Sequence, residues 1–295
     1  MSDLVVFSRE VRDALESGSP IVALETTLVA HGFPAPDGVA VGLESERRVR
    51  EAGAAPATIG VLDGRIRIGL EEGEHERFTP DARKCGARDL AAAAVQGAVG
   101  ATTVGGTLAV ARFAAIPFLG TGGIGGVHRG WPSPPDVSSD LAELARTPAI
   151  VVCSGVKSLL DVPATMELLE TLGIPVLGWR TDTLPLFYAA HGGPPVPSRV
   201  ETAVEAARIW REHVALGGTG LLVGRPPDES LEVEELIEEA VAEARQLGIV
   251  GGAVTPFVLS RLHERSDGRT LAVNRELIAA NAQLAAEIAV ANAPD

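Results

Sequence analysis

Apolar residues in this chain gather in short runs, and longer amphipathic stretches separate them. Ile21-Val22-Ala23-Leu24, Ile116-Pro117-Phe118-Leu119, Ala149-Ile150-Val151-Val152-Cys153, Ile174 to Gly178 and Gly220 to Gly224 are apolar throughout or nearly so, and rich in β-branched types. Such runs predict strands buried on both faces of a sheet. Between them, apolar residues recur at helical spacing. Helices are predicted over 5–17, 37–52, 81–96, 107–115, 138–146, 163–172, 183–191, 199–216, 228–247 and 270–293, with another after Thr255-Pro256-Phe257. Strands alternating with helices predict a parallel sheet with right-handed crossovers, the α/β class. Asp63-Gly64 lies between two apolar-alternating runs, Thr58–Leu62 and Arg65–Leu70, and predicts a type I′ hairpin. Asp37 reads as a helix N-cap, Gly105-Gly106 as a turn and His31 to Pro36 as a loop. No repeat, low-complexity run or linker divides residues 1–295, which read as a single domain.

Composition narrows the function more than the fold. A chain of 295 residues with 46% hydrophobic content can bury a sizeable core and is not disordered. Aromatics are only 4%, so Ala, Val, Leu and Ile must build that core. The net charge of -14 argues against a nucleic-acid polymer or an anionic membrane as partner. It still permits a small anionic substrate, because a local pocket of cations and backbone N–H groups can reverse the field. No signal peptide and no membrane-spanning run is read, which implies a cytoplasmic protein. Cys85 and Cys153 show neither metal-ligand spacing nor a disulfide framework and read as reduced thiols.

Candidate chemistry falls at strand ends. Glu25 closes an apolar run, where a carboxylate is rare unless paired or functional. Gly120 to Gly126 follows a strand and contains G-x-G-x-x-G, but His128-Arg129-Gly130-Trp131-Pro132 continues it as a loop. A dinucleotide site needs a helix there. The loop can still bring N–H groups to an anion. Asp136 or Ser138 reads as a helix N-cap; alternatively Asp136 and Asp140, four apart, offer oxygen to one Mg²⁺ or Mn²⁺. Lys157 follows the Ala149–Cys153 run and stands at the mouth of the next helical turn. Ligands of open α/β sheets bind at such ends. Only Lys84 and Lys157 are lysines; every other basic residue is arginine. Lysine, unlike arginine, can lose its proton and attack a carbonyl. Burial or a helix N-terminus would favour the neutral amine. Asn274 and Asn281 share one face of the last helix, as a lined pocket or a polar seam at a subunit contact. These groups suit a Schiff-base lyase or aldolase on a sugar phosphate, or a non-catalytic sugar-phosphate or nucleotide sensor.

Several motifs occur together and in order: Ala23-Leu24-Glu25-Thr26-Thr27 with His31-Gly32, Thr121 to Arg129, Asp136-Val137-Ser138-Ser139-Asp140-Leu141, Val152 to Asp161, and Thr255-Pro256-Phe257 with the Asn274/Asn281 helix. They resemble the pseudouridine-5′-phosphate glycosidase family over essentially the whole chain. Ser139 and Ser154 stand where many members carry alanine. The resemblance implies reversible cleavage of pseudouridine 5′-phosphate to uracil and ribose 5-phosphate. It assigns Lys157 as the imine-forming nucleophile, Glu25 as proton donor and Asp136 as the holder of one Mn²⁺ per subunit. It gives Lys84, Val104, Ser138, Ser139 and Asp140 as substrate contacts, to which His128 and Asn281 are added for the pocket. It also implies a homotrimer with an α/β/α layered fold.

Overall fold

The computed structural model describes residues 4–130, 132, 136–157, 159–249 and 254–293. Trp131 and Ser158, which fall in the stretches discussed above, lie outside them. Among the described residues, eleven strands join one sheet. Its centre is made from the apolar runs. Ile21–Glu25 pairs in parallel with Phe118–Gly120, which pairs with Ile150–Cys153, followed by Leu221–Gly224, Val176–Trp179 and Ser198–Val200. On the other side, Ala55–Leu62 runs parallel to Ile21–Glu25 and antiparallel to Arg65–Ile68. Asp63 and Gly64 join that antiparallel pair with φ of 51° and 71°, the left-handed values a type I′ turn requires.

Alternation along each strand splits the core into two layers. Val22, Leu24, Ile150, Val152, Leu221 and Val223 pack with Trp210, Ala285 and Ile288 of the helices Ala203–Ala215 and Arg269–Asn292. Ala23, Val151, Cys153 and Leu222 face the opposite layer, with Leu108, Leu144 and Leu169 from Val104–Phe113, Ser139–Leu144 and Val162–Thr171. A strand with an apolar layer on each side has no polar face, so its run is apolar at every position. The result is the predicted α/β/α layering with its hairpin.

Some local predictions fail for tertiary reasons. Residues 5–17 are not one helix. Val5–Phe7 is an edge strand parallel to Arg65–Ile68, and the helix Arg9–Ser17 begins after Ser8, whose Oγ accepts from Val11 N. The helix predicted over 81–96 shrinks to Leu90–Val95, because Arg83–Cys85 pairs with Gly100–Thr102. His31, read as the start of a loop, instead ends the short helix Thr27–His31. Asp37 is the first residue of its helix, not its cap. Thr103 caps Val104–Phe113, so Gly105-Gly106 lies in a first helical turn. Residues 183–191 form no helix: Leu186 makes isolated bridges to Gly155 and Ala189, and Phe187 has φ 64°.

The last helix approaches the sheet closely. A Cβ placed on Gly120 would lie 2.6 Å from the Cα of Ala282. Gly120→Ala forces a methyl between two backbones, neither of which can rotate aside. We expect unfolding free energy to fall by about 1–3 kcal/mol, as read by urea denaturation. An unchanged midpoint would mean that the helix lifts freely from the strand.

Candidate active site

Three central strands end side by side. Their register sets Leu24 opposite Gly120 and Gly120 opposite Val152. Glu25, Thr121 and the segment leading to Lys157 therefore emerge at one edge of the sheet. A cavity of about 510 Å³, counted out to its mouth, opens there. Glu25, Lys84 and Lys157 line it together with Thr121, Phe187 and Asn274.

Glu25 is 4% exposed. Thr121 Oγ1 donates to its Oε1 at 2.5 Å, and Oε2 has no partner. Burial pushes its pKa above the usual carboxylate range. The nearby Lys157 cation and the Thr121 bond pull the other way without cancelling this. The group is thus biased toward the acid form, as a proton donor needs.

The two lysines reach the same cavity from different elements. Lys84 sits on the strand Arg83–Cys85. Burial, followed by repulsion from Lys157, pushes its pKa down. Lys157 does not open a helix. Ile124 N donates to Gly155 O, and Lys157 N donates to Ile124 O, so the lysine segment runs beside the glycine-rich loop. The next helix starts at Val162, and Asp161 Oδ1 accepts from Ala164 N as its cap. That helix end is capped by the Asp161 carboxylate.

The glycine-rich loop does bring a backbone N–H to an anion, and the anion is the chain's own Asp140. Its Oδ1 accepts from Gly105 N at 2.8 Å and its Oδ2 from Gly125 N at 2.9 Å. A Cβ on Gly125 would lie 2.8 Å from Oδ2 and 2.2 Å from Ser138 Oγ, so only glycine permits this approach. Ser138 is the helix cap, its Oγ accepting from Asp140 N. Ser139 begins that helix near the Gly86 turn, and buried Val104 begins the helix after Thr103. Val104, Ser138, Ser139 and Asp140 form a cluster beside the cavity, outside its lining. The charge of Asp140 still acts on Glu25 and Lys84.

Asp136 and Asp140 do not share a helix face, because the helix begins only at Ser139. Asp136 lies on a segment paired with Val127–His128, its carboxylate 3.7 Å from His128 Nδ1. Burial holds the His128 pKa below its usual range; Asp136 opposes this, and Lys84 and Lys157 add to it. Among the described residues, no three His, Cys, Asp or Glu side chains gather as a metal cluster. One half-exposed carboxylate beside an imidazole fits a divalent ion that keeps most of its coordination as water or ligand oxygen.

The two asparagines of the last helix divide their work. Asn281 is fully buried and donates to Thr121 O at 2.8 Å and Ser154 Oγ at 3.1 Å, tying two strand ends together. Asn274 is in the cavity wall, with Oδ1 buried and unpartnered. His31, Thr121 and Phe187 also line the cavity and were absent from the sequence-derived site. Nothing local marks Phe187, whose place follows from a left-handed turn beside Gly155.

Comparisons with known proteins agree over nearly the full length. The profile of the Indigoidine synthase A like protein family matches residues 10–291. A pseudouridine-5′-phosphate glycosidase of Herpetosiphon aurantiacus is 44% identical, over 97% of each chain. One from Streptomyces griseus is 48% identical, over 98% of this chain and 92% of its own. The prealnumycin C-glycosynthase AlnA, solved in complex with ribulose 5-phosphate, superposes with a TM-score of 0.90 at 38% identity, covering 99% of this chain and 98% of its own. An indigoidine synthase A-like protein from Thermotoga maritima gives 0.88 at 37%, covering 97% and 96%.

An amide at position 140 can accept from one of the two backbone N–H groups but presents an NH₂ to the other. Asp140→Asn should lower unfolding free energy by about 1.5–3 kcal/mol, measured by chemical denaturation. Unaltered stability would mean that the loop holds its shape without the carboxylate.

Proposed function

This chain belongs to the pseudouridine-5′-phosphate glycosidases of the indigoidine synthase A like family, and on that premise we propose that it cleaves the carbon–carbon glycosidic bond of pseudouridine 5′-phosphate reversibly, through an imine on Lys157. The products are uracil and ribose 5-phosphate. The observation that carries the reading is the meeting of a buried, half-unpartnered carboxyl with both lysines of the chain in one cavity. The relative AlnA, which binds ribulose 5-phosphate, supports a sugar phosphate as ligand.

The chemistry explains why these groups are needed. Uracil C5 is a poor leaving atom unless it receives a proton as the bond breaks. The Lys157 amine takes the place of O4′ at C1′ and opens the ribose. The C1′–C5 bond then breaks, its electron pair passing to C5 while the nitrogen lone pair forms C1′=N. Glu25, kept in its acid form by burial, gives C5 the proton. Water adds to the iminium carbon and frees ribose 5-phosphate. Lys84 serves as a substrate contact from the cavity wall, and Val104, Ser138, Ser139 and His128, which lie outside that wall, are substrate contacts by the resemblance alone. Asp140 and Asn281 hold the elements that carry them.

Asp136, with His128 beside it, would hold Mn²⁺. When bound, that ion supplies positive charge for substrate oxygens. The working form is a cytoplasmic homotrimer, by the resemblance. Among the described residues, no helix is long and apolar enough to cross a membrane.

Incubation with pseudouridine 5′-phosphate and Mn²⁺ should release uracil, and borohydride should trap the sugar on Lys157. Lys157→Arg keeps the charge but should abolish both. Binding without turnover in the parent would instead identify a sensor, and trapping with another sugar phosphate alone would identify an aldolase. Thr121→Val removes the hydroxyl that lowers the Glu25 pKa. Its acid form then persists further, so the alkaline limb of the pH–rate profile should move to higher pH. No movement would assign that limb to another group.

A further inference from the structure

His31 is a cavity group that the scheme above does not use. It ends the short helix Thr27–His31 and lines the same cavity as Glu25. Nε2 is buried and has no hydrogen-bond partner. In the neutral ring that carries its proton on Nδ1, this Nε2 presents a free lone pair. Burial, reinforced by the Lys84 cation, holds the imidazole below its usual pKa and so neutral. The other titratable groups lining the cavity are Glu25, Lys84 and Lys157. Leu28, Phe33, Leu259 and Ile278 add apolar wall, and Asn274 a lone amide. An apolar wall with an amide suits a flat, neutral imide ring, while the lysines suit the phosphorylated sugar.

We propose that His31 is a catalytic base that takes the N1 proton of the uracil ring during ribose opening and later returns it, an inference that rests on the reading above. Direct displacement of O4′ by an amine is slow, because an alkoxide leaves poorly. In pseudouridine, however, N1–H is conjugated through C6=C5 to the bond at C1′. Transfer of the N1 proton to His31 Nε2 releases an electron pair, which moves through C6 and C5, forms C5=C1′ and expels O4′. O4′ departs with the Glu25 proton. The Lys157 amine then adds to C1′, the pair returns to N1, and N1 recovers its proton from His31. The added nitrogen gives a proton back to Glu25. Nitrogen has replaced oxygen at C1′, and both His31 and Glu25 are ready for the carbon–carbon cleavage.

The discriminating probe is N1-methylpseudouridine 5′-phosphate, which has no N1 proton to give. Wild-type protein should turn over pseudouridine 5′-phosphate about 10²-fold or more faster than the methylated compound. His31→Gln should slow the natural compound by about 10²–10³-fold while changing the methylated one by no more than about threefold. Added imidazole should restore part of the activity of His31→Ala. Equal slowing of both compounds by His31→Gln, or no slowing of the natural one, would overturn the role. Failure of wild-type protein to release uracil from pseudouridine 5′-phosphate would instead overturn the proposed function itself.

Discussion

Strands buried on both faces leave polar groups little room except at their ends, and this constraint organises the whole molecule. Ile21–Glu25, Phe118–Gly120 and Ile150–Cys153 are flanked by apolar layers on each side. Their direction is parallel, so their carboxyl ends lie together. Glu25, Thr121 and the Lys157 segment are forced into one neighbourhood by the topology. The cost of burying Glu25 becomes a chemical property there, because desolvation favours its neutral acid form.

The edge is held in shape by internal clamps made of side chains the chain supplies to itself. Asp140 occupies backbone N–H groups of both the glycine-rich loop and the Val104–Phe113 helix. Asn281 reaches from the opposite layer to Thr121 and Ser154. Together they fix the separation of segments far apart in sequence with buried hydrogen bonds. Asp140 also places a negative charge that acts on Glu25 and Lys84. Asp140 therefore contributes to both geometry and electrostatics.

The cavity contains contrasting chemistry. Glu25 and the two lysines provide proton transfer and a nucleophilic amine. Apolar side chains around Asn274 and His31 offer a surface for an uncharged ring. A nucleotide joins those two demands in one molecule, a charged sugar phosphate and a neutral base.

Much of this was legible in the chain itself. Continuous apolar runs implied two-sided burial, Asp63-Gly64 implied the hairpin, and Glu25 and Lys157 stood out as polar residues after apolar strands. These are local signals, because side-chain period and turn conformation depend on neighbouring residues. Lys84 was singled out by residue type, yet its strand was not, since Arg83–Cys85 exists only through pairing with Gly100–Thr102. Val5–Phe7 was misread for the same reason, as an edge strand whose partner is distant in sequence. Spacing left Asp136 and Asp140 open as a helix cap or a ligand pair; the late helix start separated them and gave Asp140 to two backbone N–H groups. Sequence alone determined the central buried strands, the hairpin, and Glu25, Lys84 and Lys157 as carriers of chemistry. Tertiary structure decided which of those residues meet and which serve as clamps, because hydrogen bonds and burial between remote segments leave no periodic trace along the chain.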